Sequence, residues 1–166
     1  MQILQRITTE YIDTEDRVRL SGDVGTDFPV EIWLTQRLLQ RLVPMLLRCL
    51  ERQGADMPHA EILHGFAQQA AKAELIPQTP VQAVIGSVAW LVQSVDIVQS
   101  EQAISLTFSG VGGQDATTMT LAINPLRQRL SILCAVCLKA DWTLEMWPRW
   151  LLESVPSSGQ QAGVLH

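Results

Sequence analysis

Two stretches of the chain match each other at a constant offset of 88 residues. Residues 21–27 correspond to 109–115, and residues 38–42 correspond to 126–130. Across positions 18–52, ten of 35 residues are identical without a gap, whereas random pairing gives about two or three identities. The match predicts a duplicated unit in which each copy buries the apolar side of the other. The alternative is a coincidence between two amphipathic segments of similar pattern.

Both halves begin with segments in which apolar and polar residues alternate. The alternation over residues 16–34 predicts two half-buried strands joined by a turn at 21–27. Residues 2–12 form a weaker predicted strand ahead of them. The second half repeats this order, with predicted strands at 88–98, 103–108 and 118–123. A slip in the alternation near Gln93 indicates a bulge in the first of these.

Where the apolar period becomes helical, it predicts helices at 35–52, 58–75 and 126–140. Thr35 can cap the first helix, and Pro44 inside it predicts a kink or a break. Asn124 and Pro125 are the residue types expected at the start of the third helix. The second helix carries an apolar stripe made up of Ile62, Phe66, Ala70 and Ala73.

Together these elements predict a single α+β domain over residues 1–153. Two pseudo-symmetric strand-strand-strand-helix units lie at about 1–54 and 87–141, joined by the helix at 58–75 and a linker at 76–80. We expect about six strands in one antiparallel sheet or two facing sheets, packed with helices that include a central helix pair. Residues 154–166 are expected to be a flexible C-terminal tail.

The composition excludes several classes of protein. Charged residues make up only 17% of the chain and hydrophobic residues 47%, a balance that favours a folded core over disorder. No apolar stretch reaches about 18 residues, so no membrane span is predicted. The net charge is −5 and no segment is strongly basic, so nucleic acid is not an expected partner. The N-terminus does not resemble a signal peptide and the three cysteines are an odd number, so we expect a cytoplasmic protein.

No motif in the sequence assigns a catalytic residue, a metal or a cofactor. His59 and His64 are five residues apart, so a helix places them about 140° from each other instead of at one metal. Cys134 and Cys137 lie well inside an apolar helix, where we expect buried small side chains instead of a redox pair. Residues 110–113 are glycine-rich but precede a strand, so they are expected to form a turn.

Two features of the sequence suit binding. The arginine stripe is a set that falls within about 60° on the first predicted helix: Arg37, Arg41, Arg48 and Arg52. It is either a solvated face or a site for an acidic partner or for phosphates. The tryptophan cluster consists of Trp142, Met146, Trp147 and Trp150. It either covers the protein's own core or meets a second subunit.

These observations leave three hypotheses for function. The first is a non-enzymatic interaction or scaffold module that forms a homodimer, through the tryptophan cluster or through an exposed helix face. The alternative is a protein that binds an anionic ligand or nucleic acid through the arginine stripe. The third is an enzyme with a pocket between the two pseudo-symmetric units, which no motif supports.

Overall fold

The computed structural model describes residues 1–156. Within them, segments in which apolar and polar residues alternate form strands, and segments with a helical period of apolar residues form helices. The strands are β1 (Gln2–Ile3), β2 (Arg6–Ile12), β3 (Arg17–Asp23), β4 (Val30–Leu34), β5 (Val88–Leu91), β6 (Ser94–Gln99), β7 (Ala103–Ser109) and β8 (Ala116–Ala122). The helices are α1 (Gln36–Glu51), α2 (Ala60–Ala73), α3 (Ile123–Lys139) and α4 (Arg149–Leu152). The predicted α+β class is therefore confirmed.

The strands form two four-stranded sheets that share one plan. One sheet has the order β2-β3-β4-β5, and the other has the order β6-β7-β8-β1. In each sheet three consecutive strands run antiparallel, and the fourth strand is added parallel to the third. That fourth strand comes from the other half of the chain. The helix that follows is α1 after β4 and α3 after β8.

The prediction of about six antiparallel strands is wrong, because two predicted strands each divide between the two sheets. In the strand predicted at 2–12, the Leu4 N–H donates to the Thr118 carbonyl of one sheet at 2.9 Å. The N–H of the next residue, Gln5, donates to the Asp23 carbonyl of the other sheet at 2.9 Å. A single residue step thus carries the chain from one sheet to the other.

The strand predicted at 88–98 makes the same step between Val92 and Gln93. The Val92 N–H donates to the Trp33 carbonyl at 3.0 Å, and the Gln93 N–H donates to the Ser109 carbonyl at 2.8 Å. This step coincides with the predicted bulge. Six predicted strands therefore become eight, arranged as two mixed sheets.

The first helix behaves as predicted at its start and differs in its middle. The Thr35 side chain accepts a hydrogen bond from the Leu38 N–H at 3.1 Å, which confirms the predicted cap. Of the two outcomes predicted at Pro44, a kink or a break, the break is wrong, because α1 continues through Pro44 to Glu51. Proline removes the hydrogen bond to the carbonyl four residues earlier, and its ring crowds that carbonyl. That carbonyl belongs to Gln40, an exposed residue, so water can replace the lost donor.

The start of α3 also differs from the prediction. The helix begins at Ile123, after Ala122, and Asn124 lies inside its first turn. Its side-chain amide donates to the Glu74 carboxylate at 3.0 Å, beyond the end of α2. Asn124 therefore ties α3 to α2 instead of capping α3, and Pro125 is tolerated in the first turn because no intrahelical donor is needed there.

One hydrophobic core spans both sheets and the helices, with the buried residues of β3 and β4 packed together with those of β7 and of α3. The helix that connects the halves, α2, packs chiefly on α3 and α4 instead of forming the predicted central pair with α1. Of the predicted tail, Ser154 and Val155 are buried. The remainder of that prediction, residues 157–166, lies outside the described residues.

Candidate functional site

Helix α2 turns its polar face inward and its apolar face to solvent. The predicted apolar stripe is exposed: Ile62 has 56% of its surface accessible and Phe66 has 68%. Leu63 beside them is also exposed, whereas the polar residues His64 and Gln68 are buried. This orientation is the reverse of an ordinary surface helix, whose apolar side faces the core.

A hydrogen-bonded network with α3 lets this polar face be buried. The Gln68 amide donates to the Arg127 carbonyl at 2.7 Å and to the Ser131 hydroxyl at 2.6 Å. The Arg127 guanidinium donates to the Gln68 amide oxygen at 3.3 Å and lies 3.0 Å from His64 Nδ1. Since a polar group with hydrogen-bond partners costs less to bury than one without them, the network lowers the penalty for turning α2 this way.

Trp150 of the short helix α4 completes the network. Its ring stacks on the His64 ring with centroids 5.2 Å apart. The Arg127 guanidinium carbon lies 5.6 Å from the centroid of Trp150, within the range of a cation–π contact. We call His64, Gln68, Arg127, Ser131 and Trp150 the buried polar cluster. It fixes both the position of α2 and the face that α2 presents.

Burial and charge shift the titration of this cluster. Burial and the neighbouring Arg127 guanidinium lower the pKa of His64, although the Glu51 carboxylate and backbone act in the opposite direction. Burial also lowers the pKa of Arg127. His64 is thus held neutral near pH 7, and its Nδ1 can accept the hydrogen bond from Arg127.

We expect the folded protein to lose stability as the pH falls below about 6.5, the ordinary pKa of histidine. The unfolded chain takes up a proton on His64 at that pH, whereas the folded chain resists it, so the free energy of unfolding declines toward pH 5. Urea unfolding at several pH values measures this decline. His64→Asn, which keeps an acceptor but does not titrate, should reduce it, and the exposed control His59→Asn should not. An equal decline in all three proteins would contradict the assignment to His64.

The tryptophan cluster divides between the core and the surface. Trp147 and Trp150 are buried, and Met146 is partly buried against the core. Trp142 is half-buried: its indole N–H donates to the Asp16 carboxylate at 3.0 Å, and its ring meets Tyr11 edge to face at 5.6 Å. These contacts are within the chain, and they favour the interpretation that the cluster covers the protein's own core.

The arginine stripe lies along the outer face of α1, where all four of its side chains are exposed. Within residues 1–156, the recorded ion pairs involve Arg6, Arg19 and Arg149, and none involves the stripe. Arg52 donates to the Gln99 side chain at 3.3 Å. The stripe and the apolar face of α2 are on different helices.

The cysteines of α3 are positioned for packing instead of reactivity. Burial raises the pKa of Cys134 to about 12 and that of Cys137 to about 11. Both thiols stay protonated at neutral pH, and a protonated thiol is a poor nucleophile. Among the described residues, no three His, Cys, Asp or Glu side chains are grouped closely enough to hold a metal ion.

Two cavities differ in what they can hold. The space between the two halves, bounded by Leu20 and Leu34 on one side and by Leu106 and Phe108 on the other, is about 30 Å³, room for roughly one water. A larger pocket of about 150 Å³ lies between α2, α3 and β2.

No helix within residues 1–156 is long and apolar enough to cross a membrane.

Sequence reasoning missed the buried polar cluster. A signal for it exists, because the offset of 88 places Arg127 opposite Leu39, a buried leucine of α1. A charged residue at a position where the matching half buries leucine indicates a buried polar environment.

Compared with known proteins, the chain matches no family model, no curated protein and no solved structure.

Proposed function

We propose that this protein is a non-enzymatic interaction module that forms a homodimer through the outward apolar face of α2. The observation that carries the proposal is the exposure of Ile62, Leu63 and Phe66 above a fully hydrogen-bonded polar face. Solvent exposure of a contiguous apolar patch is unfavourable, and such patches are typical of interfaces. The buried polar cluster holds that patch outward.

A second copy of the chain is the partner that this face fits best. The face has large side chains at one end, Ile62 and Phe66, and small ones at the other, Ala70 and Ala73. In an antiparallel pair of α2 helices related by a two-fold axis near Phe66, Ile62 of each helix lies against Ala70 of the other, and the two Phe66 side chains meet at the axis.

The helix dipoles favour the same antiparallel orientation. Glu61 lies in the first turn of α2, where a carboxylate stabilises the positive end of the helix dipole. An antiparallel pair places the positive end of each helix beside the negative end of the other, whereas a parallel pair brings like ends together.

Phe66→Glu is expected to convert the dimer to a monomer at micromolar concentration. A two-fold interface loses the aromatic contact twice and gains two buried charges, so we expect a cost of about 4 kcal/mol, or about a thousand-fold in the dissociation constant. Sedimentation equilibrium measures it. Phe28→Glu is the matched control, because Phe28 is also an exposed phenylalanine but lies in the turn between β3 and β4. A monomeric wild type, or equal effects of the two variants, would overturn the proposal.

We also propose that the protein acts in the cytoplasm. Cys49, Cys134 and Cys137 are buried free thiols, with no disulfide among the described residues. Buried thiols of this kind suit a reducing compartment.

Binding of an anionic partner by the arginine stripe stays a prediction. Its signature is an affinity that falls steeply as the salt concentration rises and that is lost in Arg41→Glu.

We also infer that the two halves are copies of one ancestral unit. Besides the shared sheet plan, the steps between sheets fall at Leu4–Gln5 and Val92–Gln93, pairs that are 88 residues apart. The matching glycines, Gly22 and Gly110, both lie in close contact with a side chain near one of these steps. A side chain on Gly22 would meet Leu4, and a Cβ on Gly110 would lie 3.2 Å from Trp90 Cε3.

The last strands of the two hairpins bury different positions, because the hairpins pair in different registers. Leu20 pairs with Ile32, twelve residues later, whereas Phe108 pairs with Thr117, nine residues later. The residues before and after the second hairpin keep the offset of 88, so the pairing has shifted by three residues without a deletion. A shift by an odd number of residues turns the other face of the strand to the core, which is compatible with duplication followed by divergence.

A further inference from the structure

A pocket of about 150 Å³ opens between α2, α3, β2 and the segment after α4. Its walls are mainly aliphatic, from Leu75, Ile132, Ala135, Val136 and Val155. An apolar cavity of about this volume is known to accommodate benzene. The pocket therefore has room for a hydrophobic group of about six carbon atoms.

One positive charge borders this apolar space. Among the described residues that line the pocket, Lys72 is the only charged one. Its ammonium donates to the Ser154 carbonyl at 2.5 Å. An ammonium has three donors, so two remain for a ligand or for water.

The charges around the pocket favour an anion over a cation. Arg127 and Arg129 lie on either side of the lining residue Gln128, and neither belongs to an ion pair within residues 1–156. Arg129 instead donates to the Ile7 carbonyl at 3.2 Å. Among the described residues that line the pocket there is no carboxylate, so the Lys72 ammonium is the formal charge that a ligand meets there, and it attracts an anion.

We propose that this pocket binds a small apolar monocarboxylate, such as benzoate or hexanoate. The hydrocarbon part fills the aliphatic space, and the carboxylate accepts hydrogen bonds from the Lys72 ammonium. The apolar part provides the affinity, and the single ammonium selects an acid over a neutral or cationic molecule of the same shape. This site is separate from the outward face of α2, so it does not depend on the dimer.

The chain has only two lysines, Lys72 and Lys139, which makes a direct test possible. In protein labelled with ¹³C at the lysine ε-carbon, benzoate or hexanoate is expected to shift the Lys72 signal in a saturable way. The signal of Lys139, which is exposed on the last turn of α3, should not move. Equal shifts of both signals, or no saturation by about 10 mM ligand, would overturn the proposal.

Variants separate the roles of charge and shape. Lys72→Met keeps the aliphatic stem and removes the charge, so benzoate should bind at least about ten-fold more weakly while benzyl alcohol binds as before. Lys139→Met is the matched control and should bind benzoate like the wild type. Ala135→Leu narrows the pocket and should weaken both ligands, a result that remains informative if Lys72→Met does not fold. Equal benzoate binding by wild type and Lys72→Met, measured by calorimetry, would also overturn the proposal.

Discussion

Arg127→Ala is expected to lower the free energy of unfolding by about 3–5 kcal/mol. The substitution removes the donor to the Gln68 amide oxygen and to His64 Nδ1, both buried. It also leaves a cavity beneath Trp150, which the guanidinium contacts. Each orphaned buried acceptor costs about 1–3 kcal/mol, and the lost packing adds to that.

The size of the effect depends on whether the buried charge is itself costly. Arg127 pays a desolvation penalty without a carboxylate partner among the described residues, and replacing a buried charge with a hydrophobic side chain can be neutral. Arg127→Met keeps most of the volume and removes the charge, so we expect it to lose less stability than Arg127→Ala. The difference in the free energy of unfolding between the two variants separates the contribution of the lost packing from that of the lost hydrogen bonds and charge.

Urea unfolding at pH 7 measures both variants, with Arg41→Ala as the control. Arg41 is exposed on α1 and should change stability by less than about 0.5 kcal/mol. Amide exchange adds a local readout, because loss of the network should expose the backbone of α2 before that of the sheets. An Arg127→Ala variant within about 1 kcal/mol of wild type would show that the cluster does not hold α2 in place.

Local features of the fold were predictable because they depend on neighbouring residues. Thr35 is the type of residue whose hydroxyl can accept from a free backbone donor three residues later, so the start of α1 follows from sequence. The alternation in β3 and β7 identifies their buried faces in the same way, since a strand turns every second side chain to the core.

Features that depend on distant partners were not predictable. The stripe of Ile62 and Phe66 has a helical period whichever way the helix faces, and only the contact of His64 and Gln68 with α3 decides which side is buried. Likewise, nothing near Leu4 reveals that one strand serves two sheets, because its partners Thr118 and Asp23 are set by the topology of the whole chain. Asn124 failed as a predicted cap because Glu74, fifty residues earlier, takes its side chain.

Gly22→Val is expected to destabilise the protein by about 2–3 kcal/mol through overpacking at the step between the sheets. Gly22 lies in β3 opposite Val30, and a Cβ placed on it would collide with the Leu4 side chain. Leu4 is buried, so it cannot move aside without losing its own packing. The backbone of Gly22 is not in the left-handed region, so the cost arises from packing alone.

A double-mutant cycle tests this assignment by thermal or urea unfolding. Leu4→Ala alone should be destabilising, because it removes a buried side chain. Combined with Gly22→Val, it should recover at least about 1 kcal/mol relative to the sum of the two single effects. Gly65→Ala is the control: its Cβ would lie 3.8 Å from the nearest side-chain atom, on Trp150, so the change should be neutral or slightly stabilising. Additive effects of the Leu4 and Gly22 substitutions would mean that the strand step is not packed through this pair. In that case the match between Gly22 and Gly110 would need another cause.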